Sequence, residues 1–123
     1  MRIWLVIAAV NGALAVAAGA FAAHALAGRL DARGLSVFET GARYHMYHAL
    51  ALGLAALVMQ GAAARMANWA ACFFLAGIVL FSGSLYVLAL TAIPQSAFVT
   101  PFGGVAFLAG WVCLAFAAAR IRP

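Results

Sequence analysis

The chain has 123 residues, 69% of them hydrophobic and 7% charged, with a mean hydropathy of +1.13. A soluble domain carries roughly 45–50% apolar and about 25% charged residues. A soluble fold this small could not cover so much apolar surface, so most of it must face lipid or other apolar helices. The formal charge of +5 comes from seven arginines against two acids. Charges this sparse, placed at the ends of apolar runs, assemble no nucleic-acid-binding patch and read as orientation signals beside a membrane.

The first apolar run, residues 3–25, exceeds the roughly 20 residues that span a hydrocarbon core of about 30 Å. Ala20-Phe21-Ala22 resembles a signal-peptidase site, but the run is longer than the 7–15 residues of a signal-peptide core, so a retained span is expected. Ala8/Gly12 and Ala15/Gly19/Ala23 recur at the four-residue spacing that lets membrane helices approach closely. Asn11 lies near mid-depth, where its amide should find a partner on a neighbouring helix. His24 ends the run.

A connector over residues 26–35 follows, with Arg29, Asp31, Arg33 and the turn residues Gly28 and Gly34. Ser36-Val37-Phe38-Glu39 then fits a capping box, which starts the second helix. A span over residues 37–61 is roughly 37 Å long, about a turn more than the bilayer needs. The third span covers residues 67–90, with Trp69 and Tyr86 suited to the aromatic belts at its two ends. Within it, Ser82-Gly83-Ser84 reads as close packing with hydroxyls bonded back to the preceding turn. Ile93-Pro94-Gln95-Ser96 is a turn, and a fourth span covers residues 102–119. Cys72 and Cys113 lie inside apolar runs as buried thiols, each roughly 8–10 Å from the same end of its helix.

The expected architecture is all-α, a single four-transmembrane-helix bundle with both termini on the same side. That side carries Arg2, Arg65, Arg120 and Arg122, against Arg29, Arg33, Arg43 and both acids on the other, which places the termini in the cytoplasm. Helix direction brings polar groups together in the outer half: His24, Glu39, Arg43, Tyr44, Tyr47, His48, Ser82, Ser84 and Tyr86. The inner half is almost devoid of polar side chains.

Glu39 and Arg43 stand at ion-pair spacing with the acid N-terminal, as the helix dipole prefers. Tyr44 and His48 are also four apart, and His45 precedes His48 by three. Such a cluster either pins the connector onto the bundle or binds a ligand, an ion or a proton. His24, His45 and His48 are the natural metal ligands, but a His-x-x-His pair with a third imidazole is a loose pattern. Helix rise sets His24 about 15 Å and His48 about 6 Å from the midplane, too uneven for a shared haem. No metal or cofactor is assigned. No nucleophile-base-orienter set, phosphate loop or carboxylate pair is present, so no enzyme is expected.

Gly19-Ala20-Phe21-Ala22-Ala23-His24, Phe38-Glu39-Thr40-Gly41-Ala42-Arg43-Tyr44-His45-Met46-Tyr47-His48-Ala49-Leu50, Leu80-Phe81-Ser82-Gly83-Ser84-Leu85-Tyr86 and Thr100-Pro101-Phe102-Gly103-Gly104 resemble, in order and spacing, the small membrane proteins grouped as domain of unknown function 423. The resemblance covers essentially the whole chain. It implies the same four-helix topology and a kinship with bacterial inner-membrane proteins, and it supplies no activity. The chain departs from the motif at His45, where the family typically has glutamine, which leaves His24 and His48 as the better candidates for a mechanism. The expected function is that of a non-enzymatic structural or accessory protein of the bacterial inner membrane, associating with itself as a homo-oligomer or with a larger membrane complex. The alternative is a ligand-, ion- or proton-binding membrane protein, with a possible transport role, using the outer polar cluster.

Overall fold

The computed structural model describes residues 1–121; Arg122, read above as a flanking charge of the last span, lies outside them. The described residues form four helices in antiparallel succession. Helix α1 is Arg2–Leu26, its last turn Ala22–Leu26 widened to a π turn. Helix α2 is Ala32–Leu57. Helix α3 is Gly61–Thr91, widened at Ile78–Ser82, and α4 is Pro94–Ala118, entered through a 3-10 turn at Pro94–Phe98. Helices α1, α3 and α4 are long and apolar enough to cross a membrane.

Helix α2 is the pivot, packed against α1 and along both halves of α3. It buries Phe38, Gly41, Ala42, His45, His48, Ala49, Leu52, Ala55 and Ala56. Its outward stripe runs Glu39, Arg43, Tyr47, Leu50, Leu54, Leu57 at three- and four-residue steps, passing from charged to aromatic to aliphatic. The 26 residues give a length of about 39 Å. Its start differs from the capping-box expectation. Asp31 is the N-cap, and its Oδ1 accepts from the Gly34 N–H at 2.7 Å, so Ser36 and Glu39 lie inside the helix. Aspartate caps at least as well as serine, and starting here adds a turn of helix over Leu30 and Leu35, which pack with Leu26 and Phe38. The connector shrinks accordingly to a tight turn in which Leu26 O accepts from the N–H groups of Arg29 and Leu30. Gly28 takes φ +84 there, a left-handed conformation that glycine adopts without steric cost.

Glycines set how closely α3 and α4 approach. Phe107 of α4 lies over Gly77, Phe74 of α3 lies over Gly110, and the backbone of Phe81 lies against Gly103. The three pairs run in antiparallel register, each bulky residue filling the notch left by a missing side chain. The main core is built from this seam together with Ala8, Ala51, Leu52, Ala55, Ala70, Ala71 and Ile78. Small residues suit a membrane fold, in which packing rather than expulsion of water draws helices together. Gly12 and Gly19 of α1 play no such role, since a Cβ at either would meet open space. Cys72 and Cys113 are free thiols at partly buried positions.

Candidate functional site

Polar side chains inside the bundle join the helices in pairs and triplets. Asn11 of α1 donates through Nδ2 to its own helix at Ile7 O, 2.8 Å away, which turns Oδ1 toward α2. There it meets His45 Nε2 at 3.1 Å, and His45 Nδ1 lies 3.0 Å from the Tyr86 hydroxyl of α3. The amide orientation assigns the proton: Nε2–H donates to Asn11, and Nδ1 accepts from Tyr86. Three helices are thereby linked through one neutral imidazole, buried to 6% exposure. Gly41 makes the approach possible, because the Tyr86 ring covers the position its Cβ would occupy. Phe38 packs against the same ring, centroids 4.8 Å apart.

His48 lies one turn further along α2 and takes the opposite tautomer. Its Nδ1–H donates to Tyr44 O at 2.8 Å, and its Nε2 accepts from the indole N–H of Trp111 on α4 at 3.2 Å. The imidazole stacks on Phe107 with centroids 3.4 Å apart and planes 7° from parallel. Ser82 Oγ–H donates to Gly41 O at 2.7 Å, a buried bond from α3 to α2. Ser84 Oγ–H bonds back to Phe81 O at 2.9 Å, and its oxygen also lies 2.6 Å from Thr100 Oγ1 of α4. Back-bonding was expected for both serines; Ser82 instead reaches across to another helix.

The nine residues singled out from sequence do not form one cluster. His48, Ser82, Ser84 and Tyr86 are inside the bundle and bonded across helices. Tyr44 is 37% exposed, its ring 4.9 Å from that of Phe81. Glu39, Arg43 and Tyr47 are exposed on the outer stripe of α2, and among the described residues Glu39 and Arg43 share no ion pair or side-chain hydrogen bond. The expected pinning of the connector by this pair is therefore replaced by the Asp31 cap and the apolar contacts of Leu26, Leu30 and Phe38. His24 is exposed and spends Nδ1–H on Ala20 O, 2.9 Å away. Among the described residues no three His, Cys, Asp or Glu side chains come together to hold a metal.

Three members of the network were not among the candidates. His45 was set aside as a departure from the family motif, although a glutamine offers the same donor and acceptor pair along one side chain. Asn11 was placed facing a neighbour, as found. Trp111 stands mid-helix rather than in the interfacial belt, and an indole N–H at that depth needs an acceptor. The inner half also holds one polar bridge, from Trp4 Nε1–H to Asn68 Oδ1 at 2.9 Å, joining α1 to α3.

The family model described as "Protein of unknown function (DUF423)" matches residues 18–104, which takes in the connector, α2, α3 and the start of α4. The UPF0382 membrane protein SAB0533 of Staphylococcus aureus is 44% identical over 117 residues, covering 95% of each chain. The UPF0382 membrane protein YwdK of Bacillus subtilis is 43% identical over 98% of each chain. The UPF0382 inner membrane protein YgdD of Escherichia coli K12 is 43% identical over 98% of this chain and 92% of its own. No solved structure matches the chain. With its motifs inside the matched region and its apolar helices built for lipid, the chain belongs to the DUF423 family, as a membrane protein.

Proposed function

We propose that the protein is a non-enzymatic structural or accessory component of the bacterial inner membrane, crossing it four times with both termini in the cytoplasm. The inner-membrane location is supported by the name of the Escherichia coli relative. The fourth crossing rests on how α2 disposes of its polarity. Its imidazoles point into protein, its charged residues stand in the first turns of the outer stripe, and Leu50, Leu54 and Leu57 continue that stripe where lipid tails would lie.

The observation that carries the non-enzymatic reading is that His45 and His48 have both ring nitrogens engaged by protein groups, so neither retains a free lone pair or proton for a substrate. Native mass spectrometry of protein released gently from its own membranes tests it. Bare protomers, a symmetric homo-oligomer or a complex with another membrane protein agree with it; a bound small molecule lost in His48→Ala refutes it. Cysteine-accessibility labelling of Arg2→Cys and Arg29→Cys in intact cells tests the orientation, with only the second position reached by a reagent that cannot cross the membrane.

One observation favours a second reading, a ligand or ion site on the outer half. Glu39, Arg43 and Tyr47 share one exposed face of α2, with Tyr44 partly exposed beside it. Ligand-dependent thermal stabilisation that Glu39→Gln and Arg43→Ala abolish is what this reading expects.

A further inference from the structure

The connector between α1 and α2 tops one end of the bundle. A cleft of about 450 Å³ opens at this end of the bundle, with Arg29 and Arg33 on its rim and Leu30, Val37, Leu88 and Ala89 among its walls. Both arginines are exposed, and neither guanidinium has an ion-pair or hydrogen-bond partner among the described residues. The one acid beside them, Asp31, has a carboxylate oxygen committed to the Gly34 N–H. Asp31 itself lines the cleft and caps the first turn of α2, so the positive potential at the rim is that of the two arginines. Two guanidiniums without a protein partner line one cleft, and a phosphate is a group whose oxygens such a pair complements.

The walls say what kind of phosphate. Leu88 and Ala89 belong to the last turn of α3, which ends at Thr91, so the apolar side of the cleft continues down into the membrane while the arginines stand at its surface. A soluble anion has no use for that wall; an acyl chain does. The turn holding Arg29 is fixed by the Leu26 carbonyl and by Gly28, and Arg33 stands in the first turn of α2, so both backbone positions of the rim are set before any ligand arrives. We propose that the Arg29–Arg33 cleft binds the headgroup of an anionic phospholipid, with the upper part of one acyl chain lying along Leu88 and Val37. The site lies at the end of α1 remote from Met1 and therefore takes its lipid from the leaflet opposite the termini.

The test uses the full chain in nanodiscs of phosphatidylcholine with phosphatidylglycerol, with the lipids retained after gentle ejection counted by native mass spectrometry. Wild type is expected to retain phosphatidylglycerol in preference to phosphatidylcholine, with the preference fading as salt rises. Arg29→Gln and Arg33→Gln should each reduce it about fivefold, the size of one basic contact with an anionic surface. The charge-keeping double change R29K/R33K should retain the preference, which separates loss of charge from loss of fold. Arg120→Gln, at the other end of the bundle, should leave it unchanged. Equal retention of both lipids by wild type, an unchanged preference in R29Q/R33Q, or an equal loss in Arg120→Gln overturns the proposal. So does displacement of phosphatidylglycerol by inorganic phosphate alone, which would assign the cleft to a soluble anion.

Discussion

Gly103 and Gly104 are neighbours on α4 with opposite surroundings, and replacing each by alanine should move stability in opposite directions. A Cβ on Gly103 would lie 2.7 Å from the Phe81 Cα, whereas ordinary contact begins at 3.4 Å. The obstacle is backbone of α3, which cannot rotate aside, so α4 must withdraw by most of an ångström. Overpacking of this kind costs roughly 1–3 kcal/mol. Withdrawal also stretches the Ser84–Thr100 bond, now 2.6 Å, one turn away on the same face. A loss of about 2–3 kcal/mol is expected for Gly103→Ala. A Cβ on Gly104 meets nothing within 4 Å, so Gly104→Ala keeps only the helix-propensity gain of about 0.5–1 kcal/mol. Unfolding of the purified protein in mild detergent, followed by far-ultraviolet circular dichroism, measures both. The reasoning fails if the two substitutions shift the midpoint alike, or if Gly103→Ala is neutral.

The imidazole network yields a second contrast. His45→Leu strands the Asn11 carbonyl and the Tyr86 hydroxyl and should cost about 1–3 kcal/mol, while His45→Gln, able to serve both, should stay within about 1 kcal/mol of wild type in the same unfolding assay. Trp111→Phe removes the donor to His48 and should cost about 1 kcal/mol, with a loss of near-ultraviolet signal from the seam between α2 and α4. Asp31→Ala should cost about 1 kcal/mol by uncapping α2. Glu39→Gln should change stability by less than about 0.5 kcal/mol, as expected of an exposed side chain without a partner; a large loss would restore the charge pair as a lock.

Helix number and order follow directly from apolar run lengths, whereas the close seam lies between α3 and α4 at Gly77, Gly103 and Gly110 rather than at the α1 glycines the spacing pointed to. The candidate site was only half legible. Depth along a helix is readable from sequence, and Tyr86, His48, Ser82 and Ser84 each bond across helices, though to separate partners. Direction around the helix axis is not readable in a segment where both faces are apolar, so Glu39, Arg43 and Tyr47 are gathered with residues from which their azimuth on α2 separates them. His45 and Glu39 differ by six positions, about 120° round the helix, yet both are polar and both lie in the outer half. Packing decides which of them faces protein. The motif departure at His45 turns attention to His24 and His48 as mechanistic candidates, whereas His45 is the side chain that joins Asn11 to Tyr86.

The π turn at Ile78–Ser82 has a consequence for α3 that length alone conceals. In a regular helix each residue advances the side-chain direction by about 100°, so an extra residue in one turn rotates everything beyond it by that amount. Before the turn, Phe74 and Gly77 address α4; after it, Tyr86 addresses α2 while Ser84 still meets Thr100 of α4. Helix α3 is thus a strut whose halves are set at different azimuths while both stay packed on α2. Removing one residue between 78 and 82 would barely shorten it. It would re-phase the upper half, carrying Tyr86 away from His45 and Ser84 away from Thr100 in a single step, and α1 would lose its link to α3 through Asn11 and His45, keeping the Trp4–Asn68 bond below the turn.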